Sequence, residues 1–120
     1  MHVAVLGASP HPDRFSNQAV RLLLQHGHTV TPVNPGHAMI EGLAAAPDVT
    51  VLSPGSVDTV TLYMNPERTR ELGPALVRLA PRRVVFNPGT ESVALAAELR
   101  RSGVAVVEAC TLVMLRTGQF

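Results

Sequence analysis

The segment from Gly7 to Asn17 combines the groups that a phosphate-binding loop needs. It follows a short apolar run and contains one glycine, two serines, an asparagine and Arg14. If a helix begins at its end, free backbone amides and the positive end of the helix dipole meet there. Ser9, Ser16 and Asn17 add hydrogen-bonding groups, and Arg14 adds a two-pronged cationic donor. The loop, Ala8 included, is therefore predicted to bind a phosphate group, although an ordinary strand-to-helix turn would also explain its glycine.

The same loop does not carry the fingerprint of a dinucleotide-binding domain. In the pattern Gly-x-Gly-x-x-Gly only the first glycine is present, and Ser9 and Pro12 stand at the other two positions. No acidic residue occurs between Asp13 and Glu41, so the second strand ends without a carboxylate for the ribose hydroxyls. Both observations disfavour NAD as the ligand.

Two further turns are candidate ligand contacts. Val33, Asn34 and Pro35 end the second apolar run in a rigid turn, and His37 adds an imidazole beside it. A solvated turn explains His37 equally well. Tyr63 and Met64, which precede Asn65 and Pro66, could form one wall of an adenine slot, and core packing is the alternative explanation for that pair.

No catalytic or metal-binding residue is predicted. Cys110 is the single cysteine and the one candidate nucleophile, and the pattern favours a small buried side chain over a reactive thiol. The five histidines lack metal-ligand spacing, and the chain contains no lysine for Schiff-base chemistry or a phosphate loop. We therefore expect a protein without evident catalytic activity.

Short apolar runs alternate with segments of helical spacing along the whole chain. Strands are predicted at residues 2–6, 28–33, 57–64, 82–87 and 104–107, with a minor edge strand at 48–52 and a short crossover element within 38–47. The alternation predicts one α/β domain over residues 1–120, a Rossmann-like, doubly wound parallel sheet of about five strands in a three-layer α/β/α arrangement.

The residues at the predicted helix ends give further expectations. Ser16 is predicted to cap the first helix, which ends at Gly27, and Thr90 to cap the helix that ends at Gly103. Asn65 and Pro66 are predicted to open a helix that kinks or restarts at its internal Gly-Pro pair. A short last helix is expected at residues 110–115. The inward positions expected in the helix after Thr90 are Val93, Ala96 and Ala97.

Three segments carry a resemblance that spans nearly the whole chain: Val5-Leu6-Gly7-Ala8-Ser9-Pro10, Pro32-Val33-Asn34-Pro35-Gly36, and Val57-Asp58 with Pro66-Glu67. The segments Asn87-Pro88-Gly89-Thr90-Glu91 and Glu108-Ala109-Cys110 match more loosely. The chain resembles the coenzyme A-binding domain family, which includes the N-terminal domain of the succinyl-CoA synthetase alpha subunit and small stand-alone proteins. His37 stands where the synthetase-type domain often has a lysine.

The resemblance implies that coenzyme A lies across the strand ends of a Rossmann-like domain. Ser9, Arg14 and Ser16 would then meet the pyrophosphate, and Tyr63 and Met64 would flank the base or the pantetheine. The adenosine side would be lined by Val33, Asn34 and Pro35. The full set of expected cofactor contacts is Gly7, Ala8, Ser9, Arg14, Ser16, Asn17, Val33, Asn34, Pro35, His37, Tyr63, Met64, Pro66 and Asn87.

Three functions remain open from the sequence. The first is a module that binds coenzyme A or acyl-CoA, as a carrier or a sensor. The second is an NAD(P)-binding, oxidoreductase-like protein with a degenerate fingerprint. The third is a regulatory subunit whose fold no longer binds a nucleotide.

Composition limits the partners and the location that we expect. The formal net charge is +1, and the basic residues, all arginines, form no stripe, so nucleic acid is not an expected partner. No apolar run is long enough to cross a membrane. The single cysteine and the absence of a basic leader favour a cytoplasmic protein. The apolar segment at residues 112–115, together with Phe120, allows a homodimer.

Overall fold

The computed structural model describes every residue from Met1 to Phe120. Its seven strands are β1 His2–Leu6, β2 Thr29–Val33, β3 Met39–Ile40, β4 Leu43–Ala44, β5 Thr59–Leu62, β6 Arg83–Phe86 and β7 Ala105–Glu108. Its five α-helices are α1 Phe15–Gln25, α2 Pro66–Thr69, α3 Gly73–Leu79, α4 Val93–Arg101 and α5 Thr111–Arg116. Single 3-10 turns lie at Val49–Val51 and Arg70–Leu72.

Five of the strands form one sheet in the order β2-β1-β5-β6-β7, and every pairing is parallel. The chain first adds β2 on one side of β1 and then returns to add β5 on the other side. The switch point of the sheet therefore lies between the ends of β1 and β5. The predicted Rossmann-like α/β fold with about five strands is confirmed.

The residues of β1 alternate between two cores, one on each face of the sheet. Ala4 and Leu6 belong to the larger core, which also contains residues of α3 and α4. Val3 and Val5 belong to the smaller core, which α1 and α5 complete. Since both faces are covered, β1, β5 and β6 consist almost entirely of buried residues, as a doubly covered parallel sheet requires.

The region between β2 and β5 differs from the prediction. Residues 48–52 form no strand, because Asp48 accepts a hydrogen bond from the amide of Thr50 and so starts a 3-10 turn. Only one parallel bridge, between Val33 and Ala46, extends the sheet beyond β2. The crossover element expected within 38–47 is the antiparallel hairpin of β3 and β4.

Two predicted helix caps are wrong. Arg14, not Ser16, is the cap residue of α1, and Ser16 lies buried in the first turn. Ser92, not Thr90, caps α4 through a hydrogen bond from the amide of Leu95, because the Thr90 hydroxyl donates to the Asn87 carbonyl instead.

The buried face of this helix also differs from the prediction, since it consists of Leu95, Ala96 and Leu99. Val93, expected to point inward, is 89% exposed, while Ala96 is buried as expected.

The helix that Asn65 and Pro66 open behaves as expected. The Asn65 side chain accepts a hydrogen bond from the amide of Arg68, and Pro66 occupies the first helical position. The helix passes through the 3-10 turn and restarts at Gly73, which confirms the predicted interruption at the Gly-Pro pair. None of the helices combines the length and apolar character that a membrane crossing requires.

Candidate functional site

A cavity of about 600 Å³ opens where β1, β2 and β5 end. Its lining residues come from the ends of these strands and the turns after them, from residues 47–49, from α2 with its cap Asn65, and from the 3-10 turn that follows α2: Leu6, Gly7, Val33, Asn34, Pro35, Pro47, Asp48, Val49, Tyr63, Met64, Asn65, Arg68 and Leu72. This is the switch point of the sheet, where open α/β sheets bind their ligands. The volume suits a substantial organic ligand.

Gly7 is the point at which the chain leaves the sheet. Its amide donates to the carbonyl of Val33, and the amide of Tyr63 donates to the carbonyl of Leu6, so the ladders on both sides of β1 end here. Gly7 has a φ of +81°, and a β-carbon at this position would lie 2.6 Å from the carbonyl oxygen of Tyr63. Only glycine satisfies both the conformation and the close approach.

Asn34 holds the first two turns together. Its side-chain amide donates to the carbonyl of Ala8 at 2.7 Å, and its side-chain oxygen accepts from the amide of Gly36 at 2.7 Å. Its backbone amide donates to the carbonyl of Ala46 at 2.9 Å. One side chain therefore ties the loop that follows β1 to the turn that follows β2, at the floor of the cavity.

The first turn of α1 offers hydrogen-bond donors that the protein does not use. The helix has no side-chain cap and no acidic residue in its first turn. The backbone amides of Phe15, Ser16 and Asn17 make no hydrogen bond within the chain. Arg14, the cap residue, is exposed beside them. These amides and the helix dipole favour an anion at this position.

The side chain of Asn17 is already engaged within the protein. It is fully buried, donates to the carbonyl of Ser9 at 2.9 Å and to Glu41 at 3.2 Å, and accepts from Arg21 at 2.8 Å. Its contacts therefore shape the loop and bring the tip of the β3–β4 hairpin to the start of α1. Glu41 and Gly42 both have positive φ, as a two-residue hairpin turn requires.

Two charged side chains that the sequence analysis did not predict also line the cavity. Asp48 is the cap residue of the 3-10 turn Val49–Val51, and Arg68 lies on α2, two residues beyond Pro66. Both are exposed, and neither is in an ion pair, since the one ion pair of the structure joins Arg82 to Asp58. The predicted helix start at Asn65 and Pro66 already implied that Arg68 lies in the first turn of a helix beside the strand ends. No pattern in the sequence indicated Asp48.

Asn87 lies in a buried polar network beneath β5, outside the cavity. Its side-chain amide donates to the Thr61 hydroxyl at 2.6 Å and to the carbonyl of Leu62 at 2.8 Å, and its oxygen accepts from the amide of Thr111 at 2.8 Å. The hydroxyls of Thr61 and Thr111 are 2.7 Å apart. The network ties β5, β6 and α5 together. Both the nitrogen and the oxygen of the Asn87 side-chain amide are engaged in it.

Tyr63 contributes to the cavity wall and also packs against the smaller core. Its hydroxyl is the only buried side-chain polar atom of the structure without a hydrogen-bond partner. Burial raises the pKa of Tyr63 to about 12. The phenol therefore stays neutral at physiological pH and acts as an apolar wall.

The predicted site residues fall into three groups. Gly7, Val33, Asn34, Pro35, Tyr63 and Met64 line the cavity. His37 lies with Asn34 and Pro35 on an adjoining hollow of about 340 Å³. The remaining residues line neither space and lie in the loop, the first turn of α1, the start of α2 or the buried network: Ala8, Ser9, Arg14, Ser16, Asn17, Pro66 and Asn87.

Cys110 is the cap residue of α5, as the sequence suggested, and is only half-buried. The expectation of a buried side chain at this position is therefore only partly met. The residue does not line the cavity.

The architecture is that of a Rossmann-like domain with a ligand cavity at the switch point of its sheet. Residues 1–116 match the model of a family described as "CoA binding domain". The chain belongs to this CoA-binding domain family, which confirms the resemblance found in the sequence. No curated protein matches the chain.

Solved structures share the fold over almost the whole chain. One, described as an uncharacterized protein, is 38% identical, with a TM-score of 0.92 and coverage of 99% of this chain and 97% of that one. A Thermus thermophilus protein, cell-free ID.343, is 28% identical, with a TM-score of 0.88 and coverage of 99% and 90%. A dinucleotide-forming acetyl-coenzyme A synthetase of Ca. Korarchaeum cryptofilum is 24% identical, with a TM-score of 0.77. It matches 90% of this chain with 25% of its own length and shows the fold alone.

Proposed function

We propose that this protein binds coenzyme A, free or as an acyl-CoA, and acts as a carrier or sensor without a reaction of its own. The observation that carries the proposal is the cavity of about 600 Å³ at the switch point of a sheet whose sequence belongs to the CoA-binding domain family. The cavity lies at the carboxyl ends of the strands, where such folds bind ligands, and its volume can accommodate part of a nucleotide-derived cofactor.

The start of α1 supports binding of the pyrophosphate. The unpartnered amides of Phe15, Ser16 and Asn17 lie in the first turn of an 11-residue helix, and the exposed guanidinium of Arg14 adds a cation beside them. Phosphate oxygens are strong acceptors, and a helix N-terminus stabilises their negative charge.

The lining of the cavity supports binding of the less polar parts of the cofactor. Val33 and Pro35 on one side and Tyr63 and Met64 on the other present apolar surface. Arg68 supplies the only cation in the lining. We place the adenosine, with its base, on the side of Val33 and Pro35 and the pantetheine against Tyr63 and Met64.

The chemistry of the lining favours binding over catalysis. Its ionisable side chains are Asp48, Tyr63 and Arg68, and it includes neither a histidine nor a cysteine. Burial raises the pKa of Tyr63 to about 12, which moves it further from physiological pH and makes the phenol a poor proton donor or acceptor there. Cys110 lies outside the lining.

Calorimetric titration of the ligand-stripped protein with coenzyme A, followed by titration with NAD, tests the proposal. We expect micromolar binding of coenzyme A and little heat with NAD. Tighter binding of NAD would overturn the ligand assignment and favour the oxidoreductase-like alternative. Binding of neither compound would favour the regulatory subunit whose fold has lost its ligand.

The location, the partners and the oligomeric state of the protein remain predictions. A cytoplasmic location, the absence of nucleic-acid and membrane partners, and a homodimer all come from sequence composition alone. Sedimentation of the purified chain with and without coenzyme A would test the oligomeric state.

A further inference from the structure

We infer that Asp48 selects the base of the bound cofactor, by accepting a hydrogen bond from the 6-amino group of adenine. The inference rests on the proposed function, since it assigns one end of the same cavity to the adenine of coenzyme A. Asp48 lies outside every segment that carries the family resemblance, and only the folded chain brings it to the cavity.

The backbone places Asp48 on the adenosine side of the cavity. The amide of Ala46 donates to the carbonyl of Pro32, and the amide of Asn34 donates to the carbonyl of Ala46, both at 2.9 Å. This parallel bridge carries the chain in the direction of β2, so Pro47 and Asp48 come out at the same edge of the sheet as Asn34 and Pro35. The two segments therefore form neighbouring walls.

The carboxylate of Asp48 is oriented by its own turn and keeps one oxygen free. Its Oδ1 accepts from the amide of Thr50 at 2.7 Å and also from the Thr50 hydroxyl. Its Oδ2 has no partner in the protein, and the side chain forms no ion pair. The hydrogen bond from the Thr50 hydroxyl, helped by that from the amide, lowers the pKa of Asp48. A charged acceptor with a fixed direction is thus ready for a ligand donor.

The neighbours of Asp48 suit a flat aromatic base. Pro47 precedes it and the buried Val49 follows it, while Val33 and Pro35 line the same cavity. Apolar surfaces accommodate the faces of a purine and leave its edge to polar groups. Adenine presents an amino donor at position 6, whereas hypoxanthine and guanine present a carbonyl acceptor there.

The charge of Asp48 also decides which part of the cofactor can lie beside it. A phosphate would be repelled by a carboxylate, so the 3′-phosphate of coenzyme A must point away from Asp48. Arg68, in the same lining, carries the charge that a phosphate would favour. The ribose 2′-hydroxyl is the other donor of the adenosine, but it is adjacent to the 3′-phosphate and must point away with it. The amino group of the base is therefore the donor that meets Asp48.

The test compares coenzyme A with its 6-desamino analogue, in which a hydrogen atom replaces the 6-amino group and N1 stays an acceptor, by calorimetric titration of the native chain. We expect the native protein to bind coenzyme A about tenfold more tightly, since the analogue offers Asp48 no donor on this edge of the base. Asp48→Asn keeps an oxygen to accept from Thr50 and replaces the free acceptor by a donor. It should weaken coenzyme A binding by about tenfold and abolish or reverse the preference.

Glu108→Gln is the matched control, because it removes one negative charge at an exposed position of β7, outside the cavity. It should leave the preference for adenine unchanged. Equal affinity of the native chain for both ligands, or a preference that survives in Asp48→Asn, would overturn the role of Asp48 while leaving coenzyme A binding in place. A native chain that binds neither ligand would instead overturn the proposed function.

Discussion

The α-carbon of Gly7 lies so close to Tyr63 that a β-carbon at position 7 would come within 2.6 Å of the Tyr63 carbonyl oxygen. This contact joins the ends of β1 and β5 at the switch point. It leaves no room for a side chain between the two strands at the base of the cavity.

Gly7→Ala is expected to destabilise the fold more than a left-handed backbone alone explains. Gly27 also has a positive φ, +83°, but a β-carbon there would have no neighbouring atom within 4 Å. Gly27→Ala should therefore lower the free energy of unfolding only by the strain of a left-handed alanine, about 1–2 kcal/mol. Gly7→Ala should cost about 1–3 kcal/mol more, because its methyl group meets backbone. Urea unfolding of both variants measures the difference, and equal losses would contradict the importance of the contact.

Arg14→Ala is expected to weaken coenzyme A binding by about 1.5–3 kcal/mol, the contribution of a hydrogen bond to a charged group. The fold should survive, because Arg14 is exposed and makes no side-chain cap. Calorimetric titration measures the affinity, and Arg101→Ala, an exposed arginine in the last turn of α4, is the control for net charge. A folded Arg14→Ala variant with unchanged affinity would remove Arg14 from the site.

Arg68→Gln removes the only cation in the cavity lining, and Arg70→Gln is its control. Arg68 lines the cavity, whereas Arg70 is exposed two residues further on and does not. Arg68→Gln should lower the affinity for coenzyme A by about tenfold and make binding less sensitive to salt. Titrations at two salt concentrations measure both effects. Arg70→Gln should change little, and equal losses in the two variants would indicate a general effect of net charge.

Glu41→Gln is expected to strengthen binding of coenzyme A. Glu41 accepts a hydrogen bond from Asn17 at 3.2 Å, which holds a carboxylate beside the first turn of α1. Gln keeps an acceptor for Asn17 and removes the charge, which opposes a phosphate by roughly 1 kcal/mol across a short, solvated distance. Titration with coenzyme A and with pantetheine, which has no phosphate, measures the effect. A gain that pantetheine shares, or a loss of affinity, would contradict the electrostatic argument.

Tyr63 is expected to ionise near pH 12, because burial raises its pKa from 10.0 to about 12. A raised folded-state pKa stabilises the protein fully below the unfolded value of 10.0, and this contribution is lost as the pH rises through about 12. The chain has one tyrosine and no tryptophan, so ultraviolet absorbance follows this phenol alone. The same titration of the denatured chain gives the reference value. A titration midpoint near pH 10 in the folded protein would contradict the prediction and show that the ring is solvated.

Much of the fold was predictable because its signals are local. The apolar run that ends at Gly7, the Asn65–Pro66 helix start and the break at Gly73 each depend on neighbouring residues and came out as expected. The cap of α1 was misassigned because Ser16 and Arg14 lie two residues apart in one loop, and packing decides which residue enters the helix. Val93 was misassigned because the buried stripe of α4 consists of Leu95, Ala96 and Leu99, and Val93 lies off that stripe in the first turn.

The sequence by itself determined the alternating strands and helices and the loop at the start of α1, and its motifs carried the resemblance to the CoA-binding domain family. Those features follow from residue types and from spacings of a few positions. Only the tertiary structure decided that Asp48 and Arg68 share a cavity with Gly7. A single parallel bridge at Ala46 and the packing of Leu72 against the larger core bring these segments together. Such pairings join residues far apart in the chain, and no local pattern of residue types records them.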